Sequence, residues 1–139
     1  MTLSEIMTDD YDEMIALWKS DPNIRLSKAD SREGISYFLN RNKGLNFKLV
    51  HDGRIAGTIL CGNDGRRGYF HHLFIGTDFR GKGYGSLLVQ KCVGVLVKEG
   101  ITKIHIFVLP GNTGGQMFWE KNGFYRRTQE EILFYSKDI

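Results

Sequence analysis

The segment Leu73-Phe74-Ile75-Gly76-Thr77-Asp78-Phe79-Arg80-Gly81-Lys82-Gly83-Tyr84-Gly85-Ser86 does most to constrain what this chain can fold into. Tyr69 to Ile75 is an apolar, aromatic-rich run of strand length. Residues 83–98 carry Leu87, Leu88, Val93, Val95 and Leu96 at spacings that predict a helix, with Gly100 as its C-terminal cap. Between the two, glycines 81, 83 and 85 let the backbone take positive φ and approach a ligand closely. The first amides of a helix have no partner within it, and the helix dipole adds positive potential there, so such a turn is a ready anion site. Arg80 and Lys82 add charge. A diphosphate suits it.

Two other nucleotide-type turns are excluded by spacing. A dinucleotide fold needs G-x-G-x-x-G in an opening βαβ unit; here the spacing is G-x-G-x-G and no such unit opens the chain. Gly76 to Lys82 does match G-x4-G-K, but Gly83 then stands where Ser or Thr must hold magnesium, and no apolar run ending in Asp supplies a second ligand. A turn with no ligand would spend three alternate glycines on weakening a helix start.

The remaining chain reads as one α+β domain, 1–139, of a length that buries about two thirds of its surface and needs no disulfide or metal. Cys61 and Cys92 lie in apolar stretches without CxxC spacing, which predicts buried free thiols and a reducing, cytoplasmic setting. No apolar run of ~18 residues offers a membrane span. Glu5, Asp9 and Asp10 stand where an export signal would carry Lys or Arg. A net charge of +3 is too small to imply nucleic-acid binding. The bases bunch at Arg66-Arg67 and Arg80-Gly81-Lys82, which suits a small anion; the loop pair could equally be solvated.

Residues 2–7 predict a strand and 9–19 a helix capped by Thr8, with Tyr11, Met14, Ile15, Leu17 and Trp18 on one face. A second helix starts at Asp30 or Ser31, with Glu33 completing a capping box if Asp30 is the cap, and buries Ile35, Phe38 and Leu39. Strands at 45–51 and 54–62 flank the hairpin dipeptide Asp52-Gly53. Ile104–Leu109, nearly all apolar, predicts a strand covered on both faces. Residues 113–122 form a short helix closed by Gly123, and Phe124–Thr128 with Glu131–Ser136 are expected to pair as final strands that could support a homodimer.

Arg80-Gly81-Lys82-Gly83-Tyr84-Gly85 resembles the R/Q-x-x-G-x-G/A signature of GNAT acetyltransferases. The segment from Asn112 to Phe124, with Phe118-Trp119-Glu120-Lys121-Asn122-Gly123-Phe124, resembles that family's second signature, N-x(6)-Y-E-K-x-G-F. The resemblance covers nearly the whole chain. It implies a mixed, mostly antiparallel sheet of six to seven strands with about four helices. In that fold two parallel strands, here 69–75 and 104–109, splay apart around the pantetheine arm of acetyl-CoA. It further implies that backbone groups of Leu73, Phe74 and Ile75 bond the pantetheine and thioester, and that amides of Gly81, Lys82, Gly83, Tyr84, Gly85 and Ser86, with Arg80, hold the diphosphate. Asn112 would fix the arm, Trp119 would line it, and the Leu73 N–H could stabilise the oxyanion.

The chain departs from the family at two positions. Trp119 replaces the Tyr that protonates the leaving thiolate, and an indole N–H is no practical acid. Phe107 replaces the Glu base of ribosomal-protein alanine acetyltransferases. The resemblance to arylalkylamine acetylating relatives places bases at Tyr69 and His71, with His71 preferred because imidazole titrates near neutrality. Strand alternation sets Tyr69 and His71 on one face and His72 on the other. Trp18 and Phe38 could wall an acceptor pocket. The implied reaction moves acetyl from acetyl-CoA to a primary amine on a small molecule or peptide, in a ternary complex without metal. A non-catalytic acyl-CoA sensor and a transferase for longer acyl groups are the alternatives.

Overall fold

Asp52 and Gly53 both take left-handed backbone, φ 49° and 73°, which is the tight turn whose twist matches that of flanking strands. They fix the hairpin from which the sheet is built. The computed structural model describes all 139 residues. Its elements run β1 (Thr2–Glu5), α1 (Tyr11–Lys19), α2 (Arg32–Arg41), β2 (Phe47–His51), β3 (Arg54–Asn63), β4 (Gly68–Ile75), α3 (Tyr84–Lys98), β5 (Ile104–His105) and α4 (Thr113–Lys121). The chain divides into two units, 1–107 and 108–139.

In the first unit one sheet runs in sequence order, β1 to β5, antiparallel throughout except for the parallel pair β4·β5. Neighbouring residues of a strand point to opposite faces, and β3 shows which helices cover which. Leu60 joins Met14, Trp18, Ile35 and Leu39 in the core under α1 and α2. Cys61, next in sequence, faces Cys92 of α3, whose thiol donates to the Leu45 carbonyl at 3.5 Å. Helix α3 buries Leu88, Val89, Cys92 and Leu96 to 2% exposure or less; each Leu or Val so covered contributes about 1.5–3 kcal/mol relative to exposure. Both cysteines are free and fully buried, and the facing Cys61 thiol, with burial, pushes the Cys92 thiol far up.

The helix starts differ in detail from the sequence reading. Thr8 begins a single 3-10 turn and Asp10 is the N-cap of α1. Ser31, not Asp30, caps α2, its hydroxyl accepting from the Gly34 N–H at 3.0 Å. That leaves the Asp30 carboxylate free for other partners.

The expected strand at 104–109 is paired only at Ile104 and His105, opposite Gly68 and Tyr69. Phe107 is 59% exposed, so the segment is not covered on both faces. Two paired residues are too few to hold the ladder farther along, and β4 from Phe70 to Ile75 has no strand on that side.

In the second unit the Asn112 side chain accepts from the Gly115 N–H at 2.9 Å to start α4, and Gly123 closes it at φ 87°. Trp119 is 7% exposed and packs edge-on against Phe124, 4.9 Å between ring centres. The expected strands 124–128 and 131–136 do not form, which leaves five strands in place of six or seven. The Glu131 carboxylate instead turns back to accept from the Thr128 N–H and hydroxyl at 2.9 and 3.2 Å, and the Glu131 and Ile132 amides bond the Thr128 carbonyl. The turn uses the backbone groups that would have opened the return strand.

Candidate active site

The glycine turn folds as its sequence requires. Gly81 and Gly83 sit at φ 73° and 84°, and a side chain at either would find open space in the protein, so backbone conformation and not packing demands glycine there. Gly83 is the N-cap of α3 and supplies no side-chain cap; the first turn holds no acidic residue. The Leu87 amide makes the first helical bond, to the Gly83 carbonyl. The amides of Tyr84, Gly85 and Ser86 therefore have no partner within the helix, the arrangement that holds anions.

The flanking bases do something the sequence does not show. The Arg80 guanidinium donates to the Ile75 carbonyl at 2.8 Å and pairs with Asp21 at 3.3 Å. Lys82 donates to the Asp78 carbonyl at 3.0 Å. Lys82 ties the turn to itself, and Arg80 ties it to the end of β4 and to Asp21.

Strand β4 ends at this turn, and its backbone can be followed by alternation. The Gly76 N–H donates to the Ala56 carbonyl at 2.8 Å, and Phe74 stands opposite Thr58 in the same register. Residues of such a pair alternate in which side their backbone bonds. Gly76 and Phe74 thus face β3, while Leu73 and Ile75 face the open edge. Of the three residues expected to bond the arm, Phe74 has its backbone turned to β3, and the Ile75 carbonyl is held by Arg80. The Leu73 and Ile75 amides remain on the open edge.

The histidines depart from the alternation expected of them. His71 pairs with Leu60 and Phe74 with Thr58, so His72 and Leu73 together oppose the single residue Ile59. This is a β-bulge, and His72 takes φ 49° within it. A non-glycine residue costs about 1–2 kcal/mol there, and His tolerates it better than most. The bulge puts the His72 ring on the same side as His71 and Tyr69, and not on the opposite face. His71 packs edge-on against Phe38 of α2, 5.9 Å between ring centres. Tyr69 lies 5.7 Å from the His105 ring.

His72 has the stronger partners. Its Nε2 lies 2.6 Å from Asp30 Oδ1, with both side chains 16% exposed or less. Asp30 Oδ2 accepts from the Ser27 N–H at 2.9 Å, and the Tyr11 hydroxyl donates to the Asp30 carbonyl at 2.7 Å. The His72 ring packs on Trp18, 4.8 Å between centres. Trp18 Nε1 donates to the Thr58 hydroxyl at 2.9 Å, and that hydroxyl donates to the His72 carbonyl at 3.3 Å.

Burial raises the Asp30 carboxyl, but the hydrogen bonds from His72 and the Ser27 amide, with the charges of His72 and His71, outweigh it and hold the group below its ordinary 3.8. Burial depresses His71, the charge of His72 depresses it further, and Asp30 opposes both only in part, so His71 lies below its ordinary 6.5. A neutral His71 at neutral pH is a competent proton acceptor.

The first unit thus brings together the glycine turn, the open edge at Leu73 and Ile75, and the Tyr69, His71 and His72 cluster. Asn112 and Trp119 belong to the second unit, where Asn112 caps α4. Sequence reading missed Asp30, Thr58 and the indole N–H of Trp18. Asp30 reads as a helix cap, and nothing local announces a partner 42 residues away. No cluster of three or more His, Cys, Asp or Glu side chains is placed to hold a metal ion, and no helix is long and apolar enough to cross a membrane.

Known proteins share this architecture. The chain is 31% identical over 113 residues to an acetyltransferase of Pectobacterium atrosepticum, covering 81% of this chain and 79% of that protein. It superposes on a GNAT-family acetyltransferase of Staphylococcus aureus Mu50 with a TM-score of 0.81 at 18% identity, over 99% and 92% of the two chains. A PaiA N-acetyltransferase from Thermoplasma acidophilum, solved in complex with coenzyme A, superposes with a TM-score of 0.76 at 19% identity, over 89% of each chain. The family model described as Acetyltransferase (GNAT) family matches residues 4–124. With the uncapped helix, the interrupted parallel pair and this match in agreement, the chain belongs to the GNAT acetyltransferase family and is an acyltransferase.

Proposed function

We propose that the chain transfers an acetyl group from acetyl-CoA to a primary amine by direct attack in a ternary complex. The observation that carries this reading is the joint geometry of α3 and β4. An uncapped helix N-terminus, entered through two left-handed glycines, follows directly on a strand whose Leu73 and Ile75 amides face an open edge. Amides 81–86 would hold the diphosphate of acetyl-CoA, and the strand edge would take the amide groups of its pantetheine arm as a neighbouring strand would. When bound, acetyl-CoA supplies an acyl carbon already activated as a thioester.

The chain's own groups do the rest. His71, neutral at physiological pH, takes the proton that an ammonium must lose before its nitrogen can attack. As the C–N bond forms, the Leu73 N–H donates to the acyl oxygen where negative charge develops. The nitrogen, positively charged once bonded, gives its second proton to solvent, the C–S bond breaks and the thiolate leaves. A thiol of pKa near ~8.5 is a good enough leaving group to take its proton from solvent, so Trp119 need not act as an acid.

The test is incubation of the protein with acetyl-CoA and a broad amine panel, reading free thiol. Amine-dependent thiol release supports the reading. Tight CoA binding with no release from any amine favours a sensor, and release only from longer acyl-CoA donors moves the donor preference.

A further inference from the structure

We infer that His72 is a positioning residue: Asp30, Trp18 and Thr58 clamp it in the left-handed bulge, and the bulge is what turns the Leu73 amide onto the open edge of β4. This rests on the acyl-transfer reading above. Before the bulge, Leu60 pairs with His71 and Cys61 with Phe70. Were that register continued, Leu73 would stand opposite Thr58, with its amide turned to β3 in the place Phe74 now holds. One inserted residue shifts the pattern, and the donor at the reacting edge becomes Leu73.

The inserted residue is the strained one, and everything around it opposes relaxation. Its ring is fixed by Asp30 at 2.6 Å and by Trp18 at 4.8 Å, and its carbonyl is fixed by Thr58 at 3.3 Å. Asp30 is itself held through Ser27 and Tyr11. Thr58 is held by the Trp18 indole. Such a residue persists only where its surroundings over-determine it. The clamp is largely buried, as suits a group that acts through the backbone and not on substrate.

Comparison of His72→Ala with His72→Gly isolates the conformation. Both remove the ring, but only glycine takes positive φ freely. The Phe74 amide, paired to Thr58 just past the bulge, should exchange roughly 5–30-fold faster in His72→Ala, beyond any change at Leu88, and His72→Gly should recover most of that protection. Turnover should follow, with kcat of His72→Gly exceeding that of His72→Ala by a similar factor at equal CoA affinity. If His72→Ala does not fold, Thr58→Val keeps the shape, removes the hydroxyl bond, and should loosen Phe74 in wild type but not in His72→Gly. Equal exchange in all variants overturns the clamp. Exchange that differs while turnover does not overturns its role in the reaction. A wild-type protein that transfers acetyl to no amine overturns the functional reading instead, with the exchange result standing apart.

Discussion

Gly83 tests the anion site with separable contributions. It is exposed, sits at φ 84°, and a Cβ placed there meets no protein atom within 4 Å. Gly83→Ala therefore carries only the backbone cost, about 1–2 kcal/mol of stability, and no clash. Under the proposed function a side chain there would intrude on a phosphate held at the helix start. Gly83→Asp adds one negative charge about 5 Å from a diphosphate. At an effective dielectric near 20 that is about 3 kcal/mol per charge, and solvent screening at this exposed site cuts it to roughly half. Since about 1.4 kcal/mol is tenfold in affinity, the Asp variant should bind CoA at least ten times more weakly than the Ala variant. Calorimetric titration measures both, with thermal unfolding run alongside to remove the shared backbone cost. The Asp-to-Ala gap should also narrow as salt rises. Wild-type affinity in both variants would refute the reasoning.

Three further outcomes are expected. The acid limb of kcat/KM should lie below pH 6.5, because His71 must be neutral to act and is depressed; His71→Ala should remove that limb and lower the rate by about 10²–10⁴, and an unchanged pH–rate profile would clear His71 of the role. Asp30, depressed below 3.8, contributes stability that is present above that pH and lost as pH falls through its folded value. Denaturant titrations should show this loss in wild type and not in Asp30→Asn, while Asp30→Ala, which leaves His72 with no carboxylate, should cost roughly 3 kcal/mol at pH 7. Cys61 and Cys92, both fully buried, should resist a disulfide-exchange reagent in the native protein and react together on unfolding; fast native labelling of either would contradict the packing.

The sequence makes local features visible and hides those assembled from a distance. The Asp52-Gly53 hairpin, the helix after Gly83 and the stop at Gly100 each follow from residues a few positions apart, and each lies where its residues predict. His72 shows what alternation alone misses: a bulge leaves no mark in a run such as Tyr69-Phe70-His71-His72-Leu73, and it reverses the face of every later side chain. Asp30 shows the same for pairing, since a carboxylate beside Ser31 reads as a cap until Ser31 takes that bond itself. Arg80 and Lys82 look like phosphate ligands by charge, yet Arg80 donates to the last carbonyl of β4 and pairs with Asp21, and Lys82 donates to the Asp78 carbonyl. Ile132 to Tyr135 carries a strand-like composition, but Glu131 spends its side chain on Thr128 and no ladder begins.

The most direct test is an amide-resolved NMR titration of the full chain with coenzyme A. The amides of residues 81–86 and those of Leu73 and Ile75 should shift together and saturate at one affinity, while Phe74, already paired to β3, moves less. Saturable binding that leaves the 81–86 amides in place, or no binding at all, would contradict a diphosphate held at the start of α3.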